Sequence, residues 1–277
     1  MAKGIGLIGN FKGKVGNMVG YKLSDSNTGN SQGIRVYQPI VRNPKTSAQA
    51  EQRAKLAPIN ATYRALKMII DRGNEGLPYG NKSRLAWLKK AFKAENMPWY
   101  VKGSSVYAPV CCELTKGSLA GVAYENNNGK LQITCEGATV ESPVATIGNV
   151  SSLLLAAYPS LKAGDQITLV IVEQVNQTIQ PTIISFVLDT TSAEAQTLIE
   201  AEADKIFLDY DGIPVCFAVI VSREGANGEH LRSTSQLLAT AAMLLEAPYD
   251  ATSKTAAIES YKSAASANSD WAEESIQ

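Results

Sequence analysis

The stretch Gln166-Ile-Thr-Leu-Val-Ile-Val-Glu-Gln174 alternates Ile167, Leu169 and Ile171 with Thr168, Val170 and Val172. Side chains along a strand point to opposite faces in turn, so both faces of this one are apolar. Such a strand belongs in the middle of a sheet that is covered on both sides. A second apolar run, Val215-Cys-Phe-Ala-Val-Ile-Val221, opens a strand predicted over Val215–Arg223. Further strands are expected at Val106–Lys116, Pro181–Asp189, Ile206–Tyr210 and Arg232–Leu238. Val122–Glu125 and Lys130–Cys135 flank Asn126-Asn-Asn-Gly129, a hairpin signal. One helix is expected among them, because Thr191 and Glu194 form a capping box ahead of Ala195, Leu198 and Ala201. Many short strands separated by turns predict an antiparallel β-sandwich of the immunoglobulin-like kind.

Apart from that helix, helical periodicity lies in the region before this β part and at the end of the chain. Thr46 and Gln49 make a capping box for a helix over Ser47–Leu56. Pro58 is expected to kink that helix or to start a new one, where proline is tolerated at the first position. Ile59, Tyr63, Leu66 and Ile70 then form an amphipathic stripe. After a Gly/Asn/Pro loop over Gly73–Asn81, a helix is predicted from Lys82 to Asn96, with Leu85, Leu88 and Phe92 inward. The Ala-rich segment Ala251–Gln277 has helical spacing at Ala257, Ile258, Tyr261 and Ala264, but little apolar surface. Residues 1–45 carry eight glycines and scattered single apolars, with short strands at Gly16–Leu23 and Ile34–Val41 around a polar loop. A segment of that kind cannot offset its own ordering entropy, so it must lie on something. The expected fold class is α+β. It comprises an extended Gly-rich arm (1–45), a helical region (46–100), a β-sandwich-like domain (101–245) and a C-terminal tail or helix (246–277).

The chain is neutral overall, with 26 basic and 26 acidic residues, but the charges are divided. Residues 1–120 carry 19 Lys and Arg against 6 Asp and Glu, and residues 121–277 carry 7 against 20. The halves are therefore +13 and −13, suited to subunits that meet by opposite charge or to a basic part that meets a polyanion. The candidate contact residues are Lys12, Lys14, Lys22, Arg35 and Arg42 in the arm, and Lys82, Arg84, Lys89, Lys90 and Lys93 on the basic helix. Phe11, Tyr21 and Tyr37 are interleaved with the first group, as in proteins that stack single-stranded bases.

No pattern for catalysis, cofactor or metal emerges. Gly4-Ile-Gly-Leu-Ile-Gly9 spells G-x-G-x-x-G, yet only three residues precede it, and Gly13 and Gly16 interrupt any helix after it. Gly9–Lys14 is too short for a P-loop, and Val15 replaces the hydroxyl such a loop needs. His230 is the only histidine and lies in a polar turn, with no Ser or Cys in a nucleophile elbow. Asp209-Tyr-Asp-Gly212 is a turn with too few regularly spaced oxygens for calcium. Cys111, Cys112, Cys135 and Cys216 have no metal spacing and are expected to be buried thiols. The apolar runs, including Ser152-Leu-Leu-Leu-Ala-Ala-Tyr158, are too short to span a bilayer. The N-terminus lacks the apolar core of a signal peptide, so synthesis in a cytoplasm without routine export is expected.

The stretch Gly13-Lys-Val-Gly-Asn-Met-Val-Gly-Tyr-Lys22 and the later Asn43-Pro-Lys-Thr-Ser-Ala-Gln-Ala-Glu-Gln-Arg53 resemble an uncharacterised family from Bacteroidetes and their phages. In that family a GKVGNxVGYK opening precedes an NPxTxxQxxQR helix. Leu114-Thr-Lys-Gly-Ser-Leu119, Val219–Arg223 and Leu231-Arg-Ser-Thr234 look similar too. Some members occur among structural genes of tailed (crAss-like) phages of gut Bacteroidales. The resemblance implies a non-enzymatic virion component, made in the host cytoplasm. Its expected place is a capsid-decorating, head-fibre or head-tail ring assembly. The expected partners are copies of itself and other virion proteins, with no cofactor and no membrane. The alternative expectation is a nucleic-acid-binding protein packaged with the genome.

Overall fold

The computed structural model describes residues 13–22, 32–37, 46–94, 97–110, 112–127, 130–138, 146–175, 177–195, 199–202, 204–208, 214–226, 228–239 and 249–266. The chain divides into two compact units, residues 1–45 and 46–277. Its mixture of helices and antiparallel sheets is α+β.

The first unit holds β1 (Gly13–Val15), β2 (Met18–Lys22) and β3 (Gln32–Val36) in one antiparallel sheet of that order. Gly16 and Asn17 form the two-residue turn between β1 and β2, and Gly16 takes φ +56°, which a side chain would disfavour.

The second unit is built around the strand whose two faces are both apolar. β7 (Gln166–Val175) lies between β8 (Thr178–Val187) and β11 (Pro214–Glu224). On the far side of β11, β12 (His230–Arg232) pairs with one end and β14 (Leu238–Ala239) with the other. β8 is an edge strand, which is why Pro181 is tolerated in it. Ile167, Leu169 and Ile171 of β7 join Phe217, Val219 and Val221 of β11 in one core. Val170 and Val172 join Cys216, Ala218 and Ile220 in another.

The first core is closed by a second antiparallel sheet and a helix. The sheet is β5 (Tyr124–Asn127), β6 (Lys130–Thr134), β10 (Lys205–Leu208) and β9 (Ile199–Glu202), in that order. The helix is α4 (Ile147–Ala157), capped where the Thr146 hydroxyl accepts the Asn149 N–H at 3.3 Å. The second core is closed by α1 (Ser47–Ala65), α2 (Lys67–Ile70) and α3 (Asn81–Ala91). The helices and the strands thus belong to one unit, because the central sheet would expose an apolar face without them. Near the end of the chain, α5 (Ala251–Ser266) packs on α1, with Ala54, Trp99 and Ala257 buried between them. Lys55 and Lys254 both sit over the Trp99 ring and both pair with Glu51.

Several expectations are corrected. Pro58 does not start a new helix. α1 runs through it, with Pro58 buried beside Ala54, Ile59 and Thr62, and the Thr62 hydroxyl donates to the Pro58 carbonyl at 2.9 Å. Tertiary packing along this face outweighs the backbone bond that proline removes. On α3 the inward residues are Ser83, Trp87 and Ala91, with Leu88 and Phe92 at the margin, while Leu85 is exposed. The helix ends at Ala91, short of Asn96, and α5 is described only to Ser266. Among the described residues of Val106–Lys116, the strand is β4 (Glu113–Thr115), which pairs with β13 (Ser235–Gln236). Ala108, Val110, Cys112 and Leu114 are buried in the second core among the helices. No helix forms at Thr191, because both its N–H and its hydroxyl bond to Asp189 Oδ1 in a turn, and Ile199–Glu202 is a strand. The run Ser152–Tyr158, assigned to no element from sequence, falls in α4 and the residue that ends it.

A buried ion pair anchors the open end of the central sheet. Asp165, 1% exposed, accepts hydrogen bonds from Arg223 Nε and Nη2 at 2.6 Å each and from the Lys162 N–H at 2.8 Å. Burial pushes its carboxyl up, but these partners win and hold it below the ordinary value. The folded-state value is depressed, so the pair's contribution is complete above the unfolded carboxylate range and lost as pH falls through the lowered value. Replacing Arg223 by Ala leaves a buried carboxylate without its charged partner and should cost about 3 kcal/mol. Urea midpoints measured from about pH 6 to about pH 3 should show that deficit shrinking in acid as Asp165 protonates.

Candidate interaction surfaces

The register of the first unit sorts its side chains. Val15 pairs with Met18, Met18 with Val36, and Gly20 with Ile34, so these residues share one face. Val15, Met18, Ile34 and Val36 are all exposed on it, Val36 at 72%. Lys14, Val19 and Arg35 form a row on the other face. There the Lys14 ammonium lies 3.5 Å from the centre of the Tyr37 ring. The sheet therefore has an apolar side and a basic, aromatic side, and three short strands of this size are marginal alone. Of the other arm cations, Lys12 and Arg42 lie outside the described residues, and the side chain of Lys22 does too.

The five cations of the basic helix separate into two groups. Lys82 and Lys89 are seven residues apart on the solvent face of α3, and exposed Lys93 follows in the turn after it. Arg84 and Lys90 are committed within the fold. The Arg84 guanidinium lies 4.5 Å from the Tyr63 ring centre. The Lys90 ammonium lies 2.5 Å from Glu113 Oε1 and 3.3 Å from Asn74 Oδ1. Asn74 is fixed in turn by Ser83, whose hydroxyl donates to the Ile70 carbonyl.

Beside α3 the second unit opens into a cleft of about 1130 Å³. Four separate stretches meet there. These are the loop between α2 and α3 with Arg72, Glu75 and Tyr79, the inner edge of α3 with Lys90, the turn Lys116-Gly117-Ser118, and β12 with His230 and Arg232. Glu75 ties three of them together. Its Oε2 accepts the Ser118 N–H at 2.8 Å and the Arg232 N–H at 3.3 Å, and its Oε1 accepts the Ser118 hydroxyl at 2.8 Å. The Ser118 backbone bond leads in holding this carboxyl below its ordinary value, against the opposing effect of burial. Gly117 lets the turn close on β12, because a Cβ there would lie 2.0 Å from the Arg232 carbonyl oxygen and 2.7 Å from Glu75 Oε2. Arg72 stacks over Tyr79 at 5.3 Å.

Sequence reasoning chose cations clustered in the chain and so overlooked Arg72, Lys116 and Arg232, which only the fold brings together. A faint signal existed, since Leu114–Leu119 and Leu231–Thr234 are two of the stretches that carry the family resemblance. His230 is exposed at the cleft rim. Asp209–Gly212 and Cys111 fall outside the described residues. Cys112, Cys135 and Cys216 are buried and in no disulfide. Burial, with the Asp204 charge, pushes the Cys135 thiol up to about 11, and burial also raises Cys216. Among the described residues no group of three or more His, Cys, Asp or Glu is placed to hold a metal ion. Nor is any described helix long and apolar enough to cross a membrane.

No protein-family model, curated protein or solved structure matches the chain.

The cleft's closure rests on Gly117. Gly117→Ala should destabilise the fold by about 2 kcal/mol through overpacking against β12. Chemical denaturation of the variant beside the wild type measures this directly, and an unchanged midpoint would contradict the close approach.

Proposed function

We propose that this protein is a non-enzymatic structural subunit of a tailed-phage virion, repeated in a capsid-decorating, head-fibre or head-tail ring assembly. Its sheet-on-sheet first core serves in this reading as the immunoglobulin-like module of the subunit. The Gly-rich first unit serves as the arm that reaches a neighbouring copy. The observation that carries the proposal is the first unit's exposed apolar face of Val15, Met18, Ile34 and Val36. Covering it with another subunit removes apolar surface from water, worth about 25 cal/mol per Å² buried. The +13 and −13 halves supply complementary charge for the same contacts between copies, and the motif resemblance supplies the virion setting.

The full chain should form large oligomers at about 0.05 M salt and dissociate as salt rises to about 0.5 M. Sedimentation velocity reads this out. An Ile34→Asp, Val36→Asp double variant should shift the distribution towards monomer with no change in the far-ultraviolet spectrum of the second unit. A chain that stays monomeric at low salt and high concentration contradicts the assembly.

A second reading is favoured by one arrangement, the row of Lys14 and Arg35 beside Tyr37 on the other face of the same sheet. A basic, aromatic surface suits a nucleic-acid strand packaged with the genome. It predicts a mobility shift of single-stranded DNA that weakens steeply with salt and is lost in a Lys14→Gln, Arg35→Gln variant. No shift at low salt eliminates this reading.

A further inference from the structure

Arg232 lines the cleft with its Nε buried and without a hydrogen-bond partner. A guanidinium has five N–H donors and no acceptor, so each donor withdrawn from water needs an oxygen. Leaving such a donor unmet costs about 1–3 kcal/mol, and more when the group is charged. Arg72 faces the same cleft and carries the same charge. Burial first, and then that neighbouring charge, pull the Arg232 guanidinium below its ordinary value. Lys116 adds a third cation. Among the described residues no ion pair involves any of the three. The cleft's two carboxylates do not answer this need. Glu75 accepts from Ser118 and from the Arg232 backbone, and Glu229 is exposed at the rim. Lys90, also on the lining, is already held by Glu113.

Three cations on one cleft, none of them in an ion pair among the described residues, call for an anion with several acceptor oxygens. The space is far larger than one oxyanion needs and resembles that of sites for organic ligands. Leu77 and Tyr79 are exposed apolar side chains on its lining, with Tyr79 at 65%.

We propose that the cleft is a binding site for a small phosphate monoester, its oxygens bridging Arg72 and Arg232 near Lys116 and its organic part lying against Leu77 and Tyr79. Two guanidiniums and an ammonium match a dianion better than a monoanionic carboxylate. The site lies wholly within the second unit and is independent of the assembly contacts proposed above.

Calorimetric titration of the full chain with phenyl phosphate tests the site, with inorganic phosphate and benzoate as comparison probes. Phenyl phosphate should bind saturably with one site per chain. Inorganic phosphate should bind more weakly for want of the apolar contact, and benzoate more weakly for want of charge. Arg232→Gln and, separately, Arg72→Gln should each weaken phenyl phosphate about tenfold or more. Lys89→Gln, on the outward face of α3, should leave it unchanged. The Arg72 side chain is exposed, so its variant keeps the test decisive if Arg232→Gln fails to fold. No saturable binding of phenyl phosphate by the folded wild type, undiminished binding by Arg72→Gln, or benzoate binding more tightly than phenyl phosphate would each overturn the proposal.

Discussion

The pairing of β7 with β11 is the constraint from which the rest of the second unit follows. The two strands run together from Gln166 opposite Ser222 to Glu173 opposite Pro214, and both faces of the ladder they make are apolar. A sheet of that kind is stable only between two layers. The smaller sheet and α4 supply one layer and α1 to α3 the other. Ala108, Val110, Cys112 and Leu114 pack on the helical side. Where β12 leaves the ladder, side chains replace backbone partners. The Ser233 hydroxyl accepts the Val221 N–H at 2.9 Å, and Thr115 bonds to both the Ser233 carbonyl and Ser235. This buried polar seam joins β11 to β4 without an unmet group, and it brings Lys116 to Arg232.

The strands at the centre were legible because alternation in Ile167 to Val172 is a direct image of the pleat. The pairing of β5 with β6 was legible from the Asn126-Asn-Asn-Gly129 signal between them. What escaped were features whose signal is shared by two structures. Thr191 and Glu194 fit a helix start, yet Asp189 two residues earlier offers Thr191 a turn, and the turn wins. The inward face of α3 was misjudged because Leu85 is the larger apolar signal than Ser83, while the fold places Ser83 inside as the partner of Asn74 and Ile70. Pro58 was read by local backbone rules, and packing of α1 against α5 and the core overrides them. The cleft was illegible for a different reason. Its cations come from positions 72, 116 and 232, and no window of sequence contains more than one of them.

Charge also reads differently once the fold is known. Of the basic residues that mark the first half of the chain, some are paired or stacked within the fold. Lys55 pairs with Glu51, Lys90 pairs with Glu113, and Arg84 rests on Tyr63. Exposed cations of that half, among them Lys14, Arg35, Arg72, Lys82, Lys89 and Lys116, carry the surplus outward. A formal net charge thus overstates the field at some surfaces and conceals its concentration at others, because a paired cation contributes little beyond its immediate neighbours.

The placement of the thiols gives the two cores separate reporters. Cys135 belongs to the core under the smaller sheet, whereas Cys112 and Cys216 belong to the core under the helices. A thiol reacts as its thiolate and only when exposed, so none of the three is modified while its own layer is shut. Alkylation timed by mass spectrometry therefore works as a clock on each layer separately. It distinguishes a molecule that opens as a whole from one that sheds its helices before its sheets come apart.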